Sequence, residues 1–181
     1  MLDAQNTAIA VIDIQGKLAE IVHAHEKLLR HIQFFIKASE IFGLPILWSE
    51  QAPDKIGETV GSIKALLDPV AKPIHKRTFS CYHCPEFVEE LKNINRHQII
   101  VVGIETHVCV YQTVCDLNRH GYEVHLVADA VSSRHQIDND LAIARMRDEG
   151  VIITSSEMAV CEILKTADNP KFKEIMAYIK S

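Results

Sequence analysis

The sequence predicts an α/β fold: a three-layer α/β/α domain in which a doubly wound parallel sheet carries helices on both faces. Three observations lead there. Short apolar runs alternate with longer amphipathic stretches in the order strand, helix, strand, helix. The strand runs are unbroken in apolar residues, as strands buried on both faces require. The chain has 181 residues, 48% hydrophobic and 24% charged, which suits one globular domain over 1–181 and excludes a disordered chain. No internal repeat, low-complexity segment or linker interrupts it.

The elements follow in order. Ala8 to Ile12 is β-branched, continuous and closed by Asp13, as a buried parallel strand should be. From His25 to Phe42, Leu28, Leu29, Ile32, Phe35, Ile36 and Ala38 recur at helical spacing, and Gly43 with Pro45 supplies the stop. Pro45 to Trp48 reads as a second strand. Gln51 to Gly61 is polar, with Pro53, Gly57 and Gly61, and reads as a loop over one sheet edge. Val70 to His75 is a weak third strand because Pro73 cannot donate to a ladder.

Pro85 suits the first turn of a short helix over Glu86 to Leu91. Ile99 to Val102 is the clearest strand. It leads through Gly103 into a helix over Val108 to His120, which Gly121 ends. A strand over Val124 to Ala128, a helix over Ile137 to Glu149 and a strand over Val151 to Ile153 complete the alternation. Thr154 and Glu157 have capping-box spacing for a helix over Met158 to Leu164. A C-terminal helix at about 171–180 carries Phe172, Ile175, Met176 and Ile179 on one stripe, to cover the core or to mediate assembly.

Charge narrows the function. Nineteen basic and twenty-four acidic residues leave a net charge of −5, which supplies no counterion-release term for nucleic acid and no attraction to an anionic membrane. The polar, acidic start lacks the basic patch and apolar run of a secretory signal, and no apolar run approaches the ~20 residues that span a bilayer. Five cysteines without a disulfide framework fit a reducing cytoplasm. Ten scattered histidines read mostly as surface.

In such a sheet, ligands bind beyond the carboxyl ends of the strands. Asp13 follows the first strand, Lys76 the third, and Cys109 lies after the strongest strand, at the start of its helix. Singly, each has an ordinary reading: a cap, a solvated charge, a small buried hydrophobe. Jointly they supply a base, a cation and a nucleophile, the parts of a covalent hydrolase. A helix N-terminus and a nearby ammonium would favour thiolate over thiol.

The stretch Gly103-Ile104-Glu105-Thr106-His107-Val108-Cys109-Val110 resembles the nucleophile motif of the isochorismatase-like cysteine hydrolases: glycine, two residues, threonine, two residues, cysteine, valine. Ala10 to Gln15 is similar to that family's opening strand with its aspartate and glutamine, and Lys76 with Phe79-Ser80 resembles its lysine segment. The likeness runs from about residue 7 to 165 and looks closest to the isochorismatase-domain-containing branch. It implies a Rossmann-like fold and a catalytic triad of Asp13, Lys76 and Cys109. In the family the thiolate attacks an amide-like carbonyl, aspartate shuttles the proton, and water releases the acid from a thioester. The resemblance also implies a cis peptide at Ile104–Glu105, aiming the Glu105 and Cys109 N–H groups at the oxyanion.

The resemblance has departures that shape the expectation. Where nicotinamidases carry an aspartate-x-histidine metal motif, this chain reads Trp48-Ser49-Glu50-Gln51, so no catalytic metal and no cofactor are expected. True isochorismatases lack the nucleophilic cysteine, so Cys109 tilts the chain towards C–N bond hydrolysis of a small molecule. Gln15, Trp48, Phe79 and Tyr111 are candidate substrate contacts. The expected partners are a small-molecule substrate and further copies of the chain in a homo-oligomer, with neither nucleic acid nor membrane.

Rival readings remain. Cys81-Tyr82-His83-Cys84 has the spacing of a zinc knuckle or redox pair, but no second pair completes a four-ligand site, and the segment reads as a loop near the substrate mouth. One glycine in Asp13-Ile14-Gln15-Gly16 falls short of a dinucleotide fingerprint. A non-catalytic domain that binds a ligand or builds an oligomer stays open, since folds host many functions.

Overall fold

The computed structural model describes residues 1–179. Six strands form one sheet: β1 (Thr7–Ile12), β2 (Ile46–Gln51), β3 (Pro73–Lys76), β4 (Gln98–Ile104), β5 (Glu123–Ser132) and β6 (Ile152–Thr154). Their order is β3-β2-β1-β4-β5-β6 and every pairing is parallel. The helices are α1 (Leu18–Ile21), α2 (His25–Phe42), α3 (Pro53–Ile56), α4 (Gly61–Leu67), α5 (Pro85–Ile94), α6 (Tyr111–Arg119), α7 (Gln136–Asp148), α8 (Ser156–Leu164) and α9 (Phe172–Ile179).

The apolar strand runs bury both faces. Along β1, Ile9 and Val11 enter the core under α2, α8 and α9, while Ala8, Ala10 and Ile12 enter the core under α5, α6 and α7. In β4, Ile100, Val102 and Ile104 take the first core and Ile99 and Val101 the second. Each fully buried Ile or Val of these strands contributes roughly 1.5–3 kcal/mol. The C-terminal helix puts Ile175 into the first core; position 180, in the expected span, lies outside the described residues.

Local differences from the sequence reading have physical causes. Pro73 opens an edge strand, where its missing N–H costs no ladder bond. The strand runs from Pro73 to Lys76, rather than from Val70 to His75. The segment 51–61 is partly ordered: β2 reaches Gln51, Pro53–Ile56 makes a helical turn, and α4 begins at Gly61. The cap of α8 is Ser155 rather than Thr154, and its hydroxyl accepts from the Met158 N–H. Asp129 accepts from both the N–H and the hydroxyl of Ser156, which holds the helix start one residue later.

The strand order changes direction between β1 and β4, because β1 connects onward to β2 on one side while β4 leads to β5 on the other. At such a switch point the two outgoing loops diverge and leave a crevice at the carboxyl ends. Ile12 pairs with Gly103 there. Gly103 has φ +137°, and a Cβ on it would sit 2.2 Å from the Ile12 carbonyl oxygen. Only glycine lets the two strands approach this closely at the crevice.

Candidate active site

β1 ends in Asp13, held in a left-handed conformation with φ +50° that turns the chain away from the sheet. Its N–H donates to the Ser49 carbonyl at 3.2 Å, so the turn stays tied to β2. β3 ends in Lys76 at the adjacent edge. β4 passes through a cis Ile104–Glu105 peptide into a π-helical turn, Thr106–Val110, which carries Cys109 into α6. Asp13, Lys76 and Cys109 are all buried, at 4%, 3% and 7% exposure. Residues 63 and 96 positions beyond Asp13 thus come to one place.

The Lys76 ammonium donates to Asp13 Oδ2 at 2.7 Å and to Gln51 Oε1 at 2.7 Å. It also reaches the carbonyls of Thr78 and Phe79, at 3.2 and 3.1 Å. Burial pulls the ammonium down, but Asp13, with Cys81 and Cys109, outweighs it and holds Lys76 above its ordinary value. The lysine is therefore a fixed cation, and its donors tie Asp13 to the loop after β3.

Cys109 behaves differently from the sequence expectation. Burial, and next the Asp13 charge, push its thiol well up, and the Lys76 ammonium only partly opposes them. The resting group is a thiol rather than a thiolate. A dry thiol beside a carboxylate loses more from desolvation than the cation returns, so its proton has to leave as it reacts.

The turn that carries Cys109 is pinned on several sides. The Glu105 carboxylate accepts from the Arg134 N–H at 3.0 Å and from its Nε at 3.1 Å. Thr106 Oγ1 donates to Asn139 Oδ1 at 2.6 Å, and His107 Nδ1 lies 2.9 Å from Ser133 Oγ. These contacts lock the turn to the β5–α7 connection and to the first turn of α7.

The four candidate substrate contacts are placed unequally. Gln15 is buried and spends its amide on the main chain, accepting from the Gln51 N–H and donating to the carbonyls of Gln51 and Gly57. Trp48 lies in the α2-side core, its indole N–H donating to Thr59 Oγ1 at 2.8 Å. Tyr111 sits under the Arg145 guanidinium at 4.8 Å. Phe79, on the loop gathered by Lys76, is 53% exposed. A groove of about 870 Å³ between α2, α4, α8 and α9 is lined by none of these residues, nor by the acid, lysine or cysteine.

Cys81 joins the site from the loop expected near the substrate mouth, and Ser49 joins it although sequence reasoning gave it no role there. Ser49 Oγ donates to Asp13 Oδ1 at 2.8 Å, and Cys81 Sγ lies 3.5 Å from Ser49 Oγ. The signal available was their position, at the carboxyl end of β2 and five residues after Lys76. Among the described residues no group of three His, Cys, Asp or Glu side chains is arranged to hold a metal. Cys84 points to Glu86 instead, at 3.1 Å, and all five cysteines are free thiols.

Burial and Asp13 push the Cys81 thiol up to about 11 from an ordinary 9.0, with Lys76 opposing. The folded chain therefore keeps a proton that the unfolded chain releases above about pH 9. Stability from this thiol is intact below pH 9 and falls by about 2–3 kcal/mol as pH rises from about 9 to 11. Lys76 acts in the same direction. Thermal melts over that range show a declining Tm, and Cys81→Ala makes the decline shallower; an equally steep decline in the variant assigns it elsewhere.

A parallel sheet with an acid, an ammonium and a thiol at its switch point defines an α/β protein of hydrolase architecture. The chain belongs to the isochorismatase family: the family model for the isochorismatase domain matches residues 7–158. It is 35% identical over 179 residues to isochorismatase domain-containing protein 2 of Xenopus laevis, covering 98% of this chain and 85% of the relative. The solved structure of a MAR1 ribonuclease from Caenorhabditis elegans superposes with a TM-score of 0.91 at 36% identity, covering 99% of this chain and 92% of that one. The ycaC gene product of Escherichia coli, described as an octameric hydrolase of unknown specificity, has a TM-score of 0.88 at 22% identity. It covers 99% of this chain and 96% of its own, and that likeness speaks for the fold alone.

Proposed function

We propose that this chain is a cysteine-dependent hydrolase of an amide-like C–N bond in a small molecule, acting through a thioester on Cys109. The observation that carries the reading is the burial of Asp13, Lys76 and Cys109 together at the switch point, with the carboxylate bonded to the ammonium at 2.7 Å. Asp13 takes the thiol proton as sulfur attacks the carbonyl carbon. The tetrahedral oxyanion is received by the N–H groups of Glu105 and Cys109, each donor worth on the order of 3 kcal/mol. Asp13 returns the proton to the leaving nitrogen as the C–N bond breaks. Water then attacks the thioester, gives a proton to Asp13, and releases the acid with the thiol restored. Lys76 holds Asp13 in place through the 2.7 Å contact while it accepts and returns each proton, and Phe79, exposed on the loop after β3, is the favoured substrate contact.

Five free thiols suit a reducing compartment such as the cytoplasm. A homo-oligomer is part of the proposal: Ile137 and Leu141, one turn apart on α7, are exposed, and the E. coli protein of the same fold is octameric. The ribonuclease named for the C. elegans structure is disfavoured by the net charge of −5. A non-catalytic ligand-binding domain is the second reading.

The test is a screen of small amides, ureas and ring imides followed by ammonia release, with an RNA arm. Ammonia from at least one class, with a mass adduct on Cys109 when turnover is quenched, is expected. RNA cleavage alone overturns the C–N assignment, and silence in every arm favours the non-catalytic reading.

A further inference from the structure

β2 contributes none of the three reactive groups, yet it touches two of them. Ser49 and Gln51 stand two residues apart, so both side chains leave the strand on one face. Ser49 is wholly buried and gives its proton to Asp13 Oδ1 at 2.8 Å. The Cys81 thiol donates to Ser49 Oγ at 3.5 Å, which leaves the serine's own proton committed to the acid. Gln51 Oε1 accepts from Lys76 Nζ at 2.7 Å, and its Nε2 donates to the Arg77 carbonyl at 2.9 Å. Gln15 clamps the Gln51 main chain, accepting its N–H at 2.6 Å and donating to its carbonyl at 3.0 Å.

The consequence is geometric. A carboxylate turns easily about its terminal torsion, which has broad rather than staggered wells. Here one oxygen of Asp13 is held by Ser49 and the other by Lys76, so the plane is set from both sides. Lys76 is itself aimed by Gln51.

We propose that Ser49 and Gln51 are positioning residues for the hydrolysis: Ser49 fixes the plane in which Asp13 accepts and returns protons, and Gln51 aims the Lys76 ammonium at it. This rests on the role given to Asp13, Lys76 and Cys109 above. Both act through the side chains they hold, Asp13 and Lys76. The step they serve most is hydrolysis of the thioester, where Asp13 must take a proton from a water rather than from a thiol already beside it. Misalignment of a base gives up part of the 10²–10⁴-fold that general base catalysis supplies.

The probe is p-nitrophenyl acetate, an activated acyl donor. Sulfur of Cys109 attacks its carbonyl, the C–S bond forms as the C–O bond breaks, p-nitrophenolate leaves, and the thiol proton passes to Asp13 and from it to bulk solvent, which leaves the carboxylate free for the next step. Water then breaks the C–S bond and yields acetate and the free thiol. Decay of the acetyl group on Cys109 is followed by peptide mass spectrometry, with Tm recorded for every variant. Ser49→Ala slows the decay by about tenfold or more, Ser49→Thr returns it to within about threefold of the parent, and Gln51→Met slows it about threefold. Rescue by threonine is what a packing role does not predict.

Decay at the parent rate in Ser49→Ala, or slowing in all three variants in step with a lowered Tm, overturns the inference. A parent protein that never acetylates on Cys109, or whose acetyl group decays as fast in Asp13→Asn, instead overturns the hydrolase reading and this inference with it.

Discussion

Replacing Cys109 with alanine abolishes hydrolysis of whichever amide the screen identifies, while the fold survives. The side chain is small and sits at the mouth of the α6-side core, 7% exposed, so truncation removes one sulfur and leaves a minor cavity costing about 1–2 kcal/mol. The chemical cost is of another order. Without sulfur no thioester forms, and water would have to attack the amide directly at a site shaped for a covalent step. Ammonia release should fall to the background of the blank, with circular dichroism and oligomer size unchanged. Turnover within about tenfold of the parent rules out a covalent path through Cys109.

Asp13→Asn has two effects of opposite sign. Turnover falls by about 10²–10⁴-fold because the acceptor and donor of protons is gone. The same change removes the charge that, after burial, holds the Cys109 thiol up, while Lys76, which draws it down, remains. The thiol therefore titrates lower, thiolate at about pH 8 becomes more abundant, and alkylation by iodoacetamide accelerates about tenfold for each unit gained. A variant that alkylates faster and turns over slower separates acidity of the thiol from catalysis. If alkylation slows instead, Asp13 is not raising the thiol, and burial alone accounts for its resting protonation.

Much of the candidate site was legible because strands end in predictable places. Ala8 to Ile12 could only be a doubly buried strand, so Asp13 had to stand at a carboxyl edge. The same logic placed Cys109 beyond Ile99 to Val102. Lys76 was less secure, since Pro73 weakens any strand signal until one knows that the strand is at the sheet edge. Ser49 and Gln51 stand out in the sequence only as the place of a missing metal motif, because a serine and a glutamine at a strand end carry no chemistry of their own. Their meaning comes from the 2.8 Å and 2.7 Å contacts with Asp13 and Lys76, which are far off in the chain.

The sequence by itself determined the layer order, the parallel sheet and the edge on which the reactive groups meet, because apolar periodicity and strand ends are local properties. Tertiary structure alone decided the protonation of Cys109. Position at a helix start beside a lysine argued for a thiolate, yet burial and the neighbouring Asp13 outweigh both. It also set the neighbours of Gln15, Trp48 and Tyr111: the Gly57 carbonyl, the α2-side core and the Arg145 guanidinium. Desolvation and side-chain pairing depend on what arrives from elsewhere in the fold, and no window of neighbouring residues contains that information.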